Sequence, residues 1–135
     1  MTVLIDTSAW VEFFRKTRSS ANRAATQLFT DRERFATCGP VEMELKAGAR
    51  DNDVMHEIAA ALAQGRTFAI QPHYFESAAA LYRQCRTQGV TIRSMIDCLI
   101  AVVAIDNDLE VLHHDHDFAA IASVVPLRVH PASLN

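Results

Sequence analysis

The chemically telling residues of this sequence are acids placed where local folding does not call for them. Asp6 closes the apolar run Val3-Leu4-Ile5 and is followed at once by two hydroxyls, Thr7 and Ser8. Glu44 sits in Val41-Glu42-Met43-Glu44, Asp97 interrupts an otherwise apolar stretch over 96–105, and Asp115 and Asp117 flank His116. Carboxylates drawn together repel and resist ionising unless a divalent cation compensates them. A ligand set made only of oxygens suits Mg²⁺ or Mn²⁺ rather than zinc. The usual chemistry of such a centre is phosphoryl transfer or hydrolysis: one or two ions, about 3.5–4 Å apart when paired, lower the pKa of a bound water and stabilise charge on the attacked phosphate. The side chains then contribute ligands and position, not a covalent nucleophile. No Gly-rich phosphate loop, nucleophile elbow or dinucleotide fingerprint occurs in the chain, which removes the main rival enzyme classes.

Each acid also has a plainer role to weigh. Asp6, Thr7 or Ser8 can cap the helix that follows. Ser94-Met95-Ile96-Asp97 fits the capping-box pattern, in which the third helical residue reaches back to the cap's amide; the cap uses one carboxylate oxygen and leaves the other free. One of Asp115 and Asp117 is expected to cap the last helix, leaving the other in surplus. Glu42 stands four residues before Lys46, the spacing of an exposed ion pair, whereas Glu44 shares a helix face with Val41, Ala47 and Gly48 and so points inward. His113, His114 and His116 form no His-x-x-x-His pair and read as rim groups able to meet a phosphate rather than as zinc ligands.

The elements that must position these groups follow from periodicity. Val3 to Ile5 is too short for a helix and has no polar face, so it reads as a central parallel strand. A helix over 9–16 carries Trp10, Phe13 and Phe14, and a second covers 21–30. Phe35–Cys38 is a strand, followed by a helix over 41–47 that Pro40 opens and Gly48 closes in a left-handed turn. Asp51, Asn52 or Asp53 caps the next helix, and 67–70 is a strand. Pro72 opens a helix with Phe75, Ala78, Ala79, Tyr82 and Cys85 inward, Ser94 starts the most apolar helix, 110–113 is a strand, a helix with Phe118, Ile121 and Ala122 follows, and 127–129 is a last short strand. This alternation predicts an α/β three-layer sandwich, a parallel sheet of about five short strands flanked by helices. Segments leaving successive parallel strands emerge on one edge, where acids distant in sequence converge.

Half of the 135 residues are hydrophobic and about a fifth are charged, a balance that fits a single domain over 1–135. No apolar run approaches the roughly 20 residues of a membrane span, and the opening lacks the basic-then-apolar layout of a signal peptide, so a cytoplasmic protein is expected. Cys38, Cys85 and Cys98 form no Cys-x-x-Cys pair and read as reduced core thiols. The net charge of −3 argues against holding nucleic acid by bulk electrostatics. A phosphate-bearing partner must be held by local arginines or by metal ions.

Four motifs in order, Val3-Leu4-Ile5-Asp6-Thr7-Ser8, Glu44-Leu45-Lys46-Ala47-Gly48, Asp97 at the head of an apolar helix, and Asp115-His116-Asp117-Phe118, resemble those of PIN-domain ribonucleases, and more narrowly the toxin component of VapBC toxin–antitoxin systems. The resemblance spans essentially the whole chain. It implies a Mg²⁺-dependent endoribonuclease, with Mn²⁺ able to substitute, that cleaves structured RNA such as transfer or ribosomal RNA and is held inactive by a VapB-type antitoxin; a homodimer is expected. By position it assigns Asp6, Glu44, Asp97 and Asp115 to the family's acidic quartet, with Asp117 an additional acid and Asp6, Asp97 and Asp115 as metal ligands. It matches Ser8 to the hydroxyl that orients the first aspartate. Whether Asp115 or Asp117 is the fourth acid stays open.

Arg15, Lys16, Arg18, Arg50 and Arg93 flank the motif ends and are candidate phosphate contacts. Trp10, Phe13 and Phe14 give the first helix more aromatic surface than one buried stripe needs; the surplus is core, a dimer contact or the candidate groove for an amphipathic partner helix. Two other readings compete. A HAD-type phosphohydrolase also opens on a strand ending in aspartate, but it needs a second acid where this chain has Ser8. A non-catalytic module would use the acids as caps or to bind a structural cation.

Overall fold

A computed structural model describes residues 1–134. The chain runs β1 (Val3–Ile5), α1 (Thr7–Arg15), α2 (Ser20–Thr30), β2 (Phe35–Cys38), α3 (Gly39–Ala47), α4 (Asn52–Leu62), β3 (Arg66–Phe68), α5 (Tyr74–Thr87), α6 (Met95–Asp106), β4 (Glu110–Leu112) and α7 (His116–Ala122). The strands lie in the order β3-β2-β1-β4, all parallel, with Leu4 opposite Ala36 on one side and Val111 on the other. Helices flank this sheet, giving the three-layer α/β arrangement expected of strands that alternate with helices.

β1 is central because it carries no polar face: Val3, Leu4 and Ile5 are all buried. α6 supplies Cys98, Ile100, Ala101, Val103 and Ala104 to the same core. Helix starts are marked by side chains that accept otherwise unpaired amide protons: Asp6 from Ser8, Ser19 from Asn22, Asp51 from Val54 and Asp115 from Asp117.

Several expectations give way to tertiary packing. The fifth strand shrinks to one parallel bridge, Val111 with Val129, because Pro126 and Pro131 bracket the segment and proline cannot donate to a ladder. β3 starts at Arg66, one residue early. Gly48 stays right-handed, with φ of −82°, so no left-handed turn closes α3. On α5 the inward face is Tyr74, Ala78, Leu81 and Cys85, whereas Phe75 is 62% exposed. Tyr74 wins the inner position because its hydroxyl bonds Asp106 and Asn107 of the neighbouring helix end, and the next residue points about 100° away around the helix.

Candidate active site

The site forms where β1, β2 and β4 end. Asp6, the first residue after β1, is 3% exposed, and its Oδ2 accepts from the Ser8 amide at 2.9 Å and from Ser8 Oγ at 2.6 Å. Ser8 Oγ in turn accepts from the His114 amide at 2.8 Å, which ties the turn after β1 to the loop after β4. The other oxygen, Asp6 Oδ1, is buried without a hydrogen-bond partner. Across the site, Asp97, Asp115 and Asp117 each place a carboxylate oxygen within 4.8 Å of the others. Asp97 is itself buried, and its Oδ2 has no partner.

Asp97 does not form the expected capping box. The Ser94 side chain makes no cap bond. The amides of Ser94 and Arg93 instead donate to Asp117, at 3.0 and 3.2 Å. Asp117 therefore stabilises the start of α6 from a different element, and this leaves the Asp97 carboxylate for the cluster. Asp115 caps α7. Glu44, partly buried on α3, accepts from Thr7 Oγ1 at 2.9 Å and stands close enough to Asp6 for their charges to interact.

The electrostatics are those of an acid cluster whose one cationic neighbour among the described residues, Arg93, sits on the Asp115 and Asp117 side. Burial, with the Glu44 charge adding and the Ser8 bonds opposing, pushes Asp6 up to about 6. Burial first, then the charge of Asp6 and a hydrogen bond to Asp117, pushes Asp97 up to about 9. Burial also acts to raise Asp117, but the Arg93 and Ser94 amides, the hydrogen bond from Asp97 and the Arg93 charge prevail and hold it below the ordinary carboxylate range. Two buried carboxylate oxygens without partners, beside acids that cannot all ionise, fit an oxygen-seeking divalent cation.

The candidate phosphate contacts divide. Arg93 turns into the cluster, 3.3 Å from Asp115 and 3.6 Å from Asp117. Arg15 and Arg50 line an open cleft of about 470 Å³ together with Thr7, Glu44 and Phe14. Lys16 and Arg18 lie exposed in the turn after α1 and do not line it.

Four readings need correction. Trp10 is fully buried, edge-on to Phe13 and Phe35 and stacked on Phe14; it cannot line a groove, and of the three aromatics only Phe14 reaches the cleft. Phe13 is half-buried against Phe29. His113 is not a rim group: it packs buried against Phe118, and burial pushes it down to about 4. Among the described residues Glu42 makes no ion pair with Lys46. Sequence reasoning also passed over Thr7 as the group that holds Glu44. The available signal was a hydroxyl beside Asp6 with no apolar face to join.

A model of the PIN domain matches residues 3–124, a span that includes all five acids. The chain is 40% identical over 132 residues to VapC ribonuclease Mb1587 of Mycobacterium bovis and to ribonuclease VapC11 of Mycobacterium tuberculosis, covering 93% of this chain and 96% of each relative. Among solved structures, VapBC2 from Rickettsia felis, bound to a DNA fragment from its promoter, superposes with a TM-score of 0.77 at 16% identity over 100% of both chains. With the domain matched across nearly its full length and relatives at 40% identity, this chain belongs to the PIN-domain family, among the VapC ribonucleases.

Proposed function

We propose that this protein is the toxin of a VapBC-type pair, an endoribonuclease that uses Mg²⁺ or Mn²⁺ to hydrolyse phosphodiester bonds in structured RNA such as transfer or ribosomal RNA. The observation that carries the reading is the pair of buried, partnerless carboxylate oxygens, Asp6 Oδ1 and Asp97 Oδ2, the second belonging to the Asp97–Asp115–Asp117 group and neither reached by the Arg93 guanidinium, which pairs with Asp115 and Asp117. Asp6, Asp97 and Asp115 would hold the cation, which supplies charge compensation and an acidified water for attack on phosphate. Ser8 fixes the Asp6 carboxylate through two bonds. Asp117 holds the head of α6, and with it Asp97, in register. Thr7 binds Glu44 Oε1 and leaves Oε2 to accept a proton from the attacking water. The open cleft beside Glu44 would take an RNA strand, a reading supported by Arg15 and by Arg50, which also pairs with Asp51, in its lining.

The same cleft has an apolar floor of Val11, Phe14, Leu45, Val54 and Ile58, which suits the apolar face of a helix from a VapB-type antitoxin. A homodimer belongs to the same reading, with Met43, Phe75, Met95 and Ile105 as exposed apolar side chains that such a contact could cover. No helix among the described residues is long and apolar enough to cross a membrane.

Expression without the antitoxin, followed by mapping of RNA 5′ ends, tests the activity: fragments are expected with Mg²⁺ and none with a chelator. Cleavage that persists undiminished in excess EDTA would overturn the metal mechanism.

A further inference from the structure

We propose that a cleft on the opposite edge of the sheet from the acids is a second phosphate-binding site, built by Arg32, Arg34 and Arg66, which takes a backbone phosphate of RNA or the phosphate group of a small anion. The cleft measures about 350 Å³ and lies where the strands begin, lined also by Thr2, Glu33 and Gln64. Arg34 precedes β2 and Arg66 opens β3, whereas Asp6 follows β1. Strands of three to four residues at about 3.3 Å per residue put roughly 10–13 Å of sheet between the two edges.

Local packing brings the arginines together. A side chain at Gly65 would place its Cβ 2.4 Å from the Phe35 ring, so only glycine lets the chain lie down on Phe35 and start β3 with Arg66 opposite Ala36, two residues beyond Arg34. The Arg66 guanidinium sits 4.4 Å from the centroid of Phe68, a stacked position that supports the head group and leaves its N–H edge free. Among the described residues none of the three arginines makes an ion pair, and Glu33 is the acid lining the cleft. A chain with net charge −3 therefore gathers unpaired positive charge in one concavity. Three guanidinium groups, with an amide and a hydroxyl beside them, match an anion with several oxygens set around one centre, which a phosphate group supplies, as a diester of RNA with one charge or a small phosphate with more, and a lone carboxylate does not.

The RNA source rests on the nuclease reading, so binding is measured apart from cleavage. In EDTA, the parent protein, Arg34→Ala/Arg66→Ala and the control Arg83→Ala, an exposed arginine on α5, are titrated with a fluorescein-labelled RNA hairpin by anisotropy and with inorganic pyrophosphate by calorimetry. The double variant is expected to bind the hairpin roughly tenfold more weakly, with a salt dependence shallower by about one power of salt for each lost contact, and the control to match the parent. Loss of pyrophosphate affinity with the hairpin unaffected would assign the site to a small anion. Parent-like affinity for both probes would overturn the proposal. If the double variant lacks the parent's far-ultraviolet circular dichroism, Arg34→Gln, at an exposed position, carries the same comparison. A protein that binds RNA through these arginines but cleaves none would sink the nuclease reading and leave this one standing.

Discussion

Replacing Asp97 with Asn separates a carboxylate held for a cation from one held for folding, through the sign of a stability change. Asp97 is 6% exposed and its pKa is pushed up to about 9 from 3.8. In the unfolded chain at pH 7 the group is ionised, and in the folded metal-free protein it keeps its proton. Folding at pH 7 therefore carries the cost of about three pH units at about 1.4 kcal/mol each, an upper limit of roughly 4 kcal/mol. Because the folded pKa lies above the unfolded one, the contribution is neutral near pH 4 and below, and stability is lost as pH rises from about 4 toward about 9. Asn cannot ionise, and its amide can still donate to Asp117. In EDTA at pH 7 the variant should therefore melt higher, by up to the order of 10 °C for a domain of this size. That advantage should vanish at pH 4, leaving in the variant the shallower fall between about pH 4 and 6 that Asp6 contributes. Mg²⁺ should raise the midpoint of the parent more than that of the variant, since a ligand has been removed. Calorimetric scans at pH 4 and 7, with EDTA and with Mg²⁺, give all four numbers. A variant that melts lower in EDTA at pH 7 and responds to Mg²⁺ as the parent does would refute the reasoning, since losing only a favourable charge at a helix start costs about 0.3–1 kcal/mol.

Glu44→Gln should abolish RNA cleavage while Glu42→Gln retains it, measured on the same RNA at saturating Mg²⁺; equal losses would show that α3 does not aim Glu44 alone at the site. Thr7→Val frees Glu44 and should lower kcat without changing the melting temperature by more than the roughly 1 kcal/mol of one hydrogen bond; an unchanged kcat would make that bond incidental. Trp10→Ala should cost about 3–5 kcal/mol of stability as a core deletion, whereas Phe14→Ala should weaken neutralisation by the antitoxin with little loss of stability. Thermal melts and growth rescue distinguish the two, and the reverse pattern would move the partner's groove to Trp10.

The strand-and-helix alternation was legible in the sequence because short apolar runs such as Val3 to Ile5 have only one stable setting, between layers. That Asp6, Glu44 and the Asp115–Asp117 pair come to one edge was legible too, since each lies just after a strand or on the helix that follows it; Asp97, at the head of α6 after another helix, joins Asp115 and Asp117 there. What the sequence did not show is which polar group serves which helix. Ser94 and Asp97 have the spacing of a capping box, yet the amide at the head of α6 is taken by Asp117, 23 residues away, and no local pattern encodes a bond made across two elements. The neighbours Tyr74 and Phe75 were equally opaque. Both are aromatic, and the choice of which turns inward rests on an acid and an amide 32 and 33 residues further on. His113 likewise read as a rim group until Phe118 of α7 packed against it, and which of Trp10, Phe13 and Phe14 is core stayed open until Phe35 of β2 met Trp10.

The bond from the His114 amide to Ser8 Oγ spans 106 residues, and β4 supplies one flank of β1 from residues 110–112. During synthesis Ser8 emerges 106 residues before His114, and until residues 110–114 follow, the orienting hydroxyl has no second partner and the strand before it has an open side. Asp115 and Asp117 arrive later still. A fragment that stops before residue 110 thus has the first acid without the strand and the amide that set it, and the proposed site draws on residues from both halves of the 135-residue sequence.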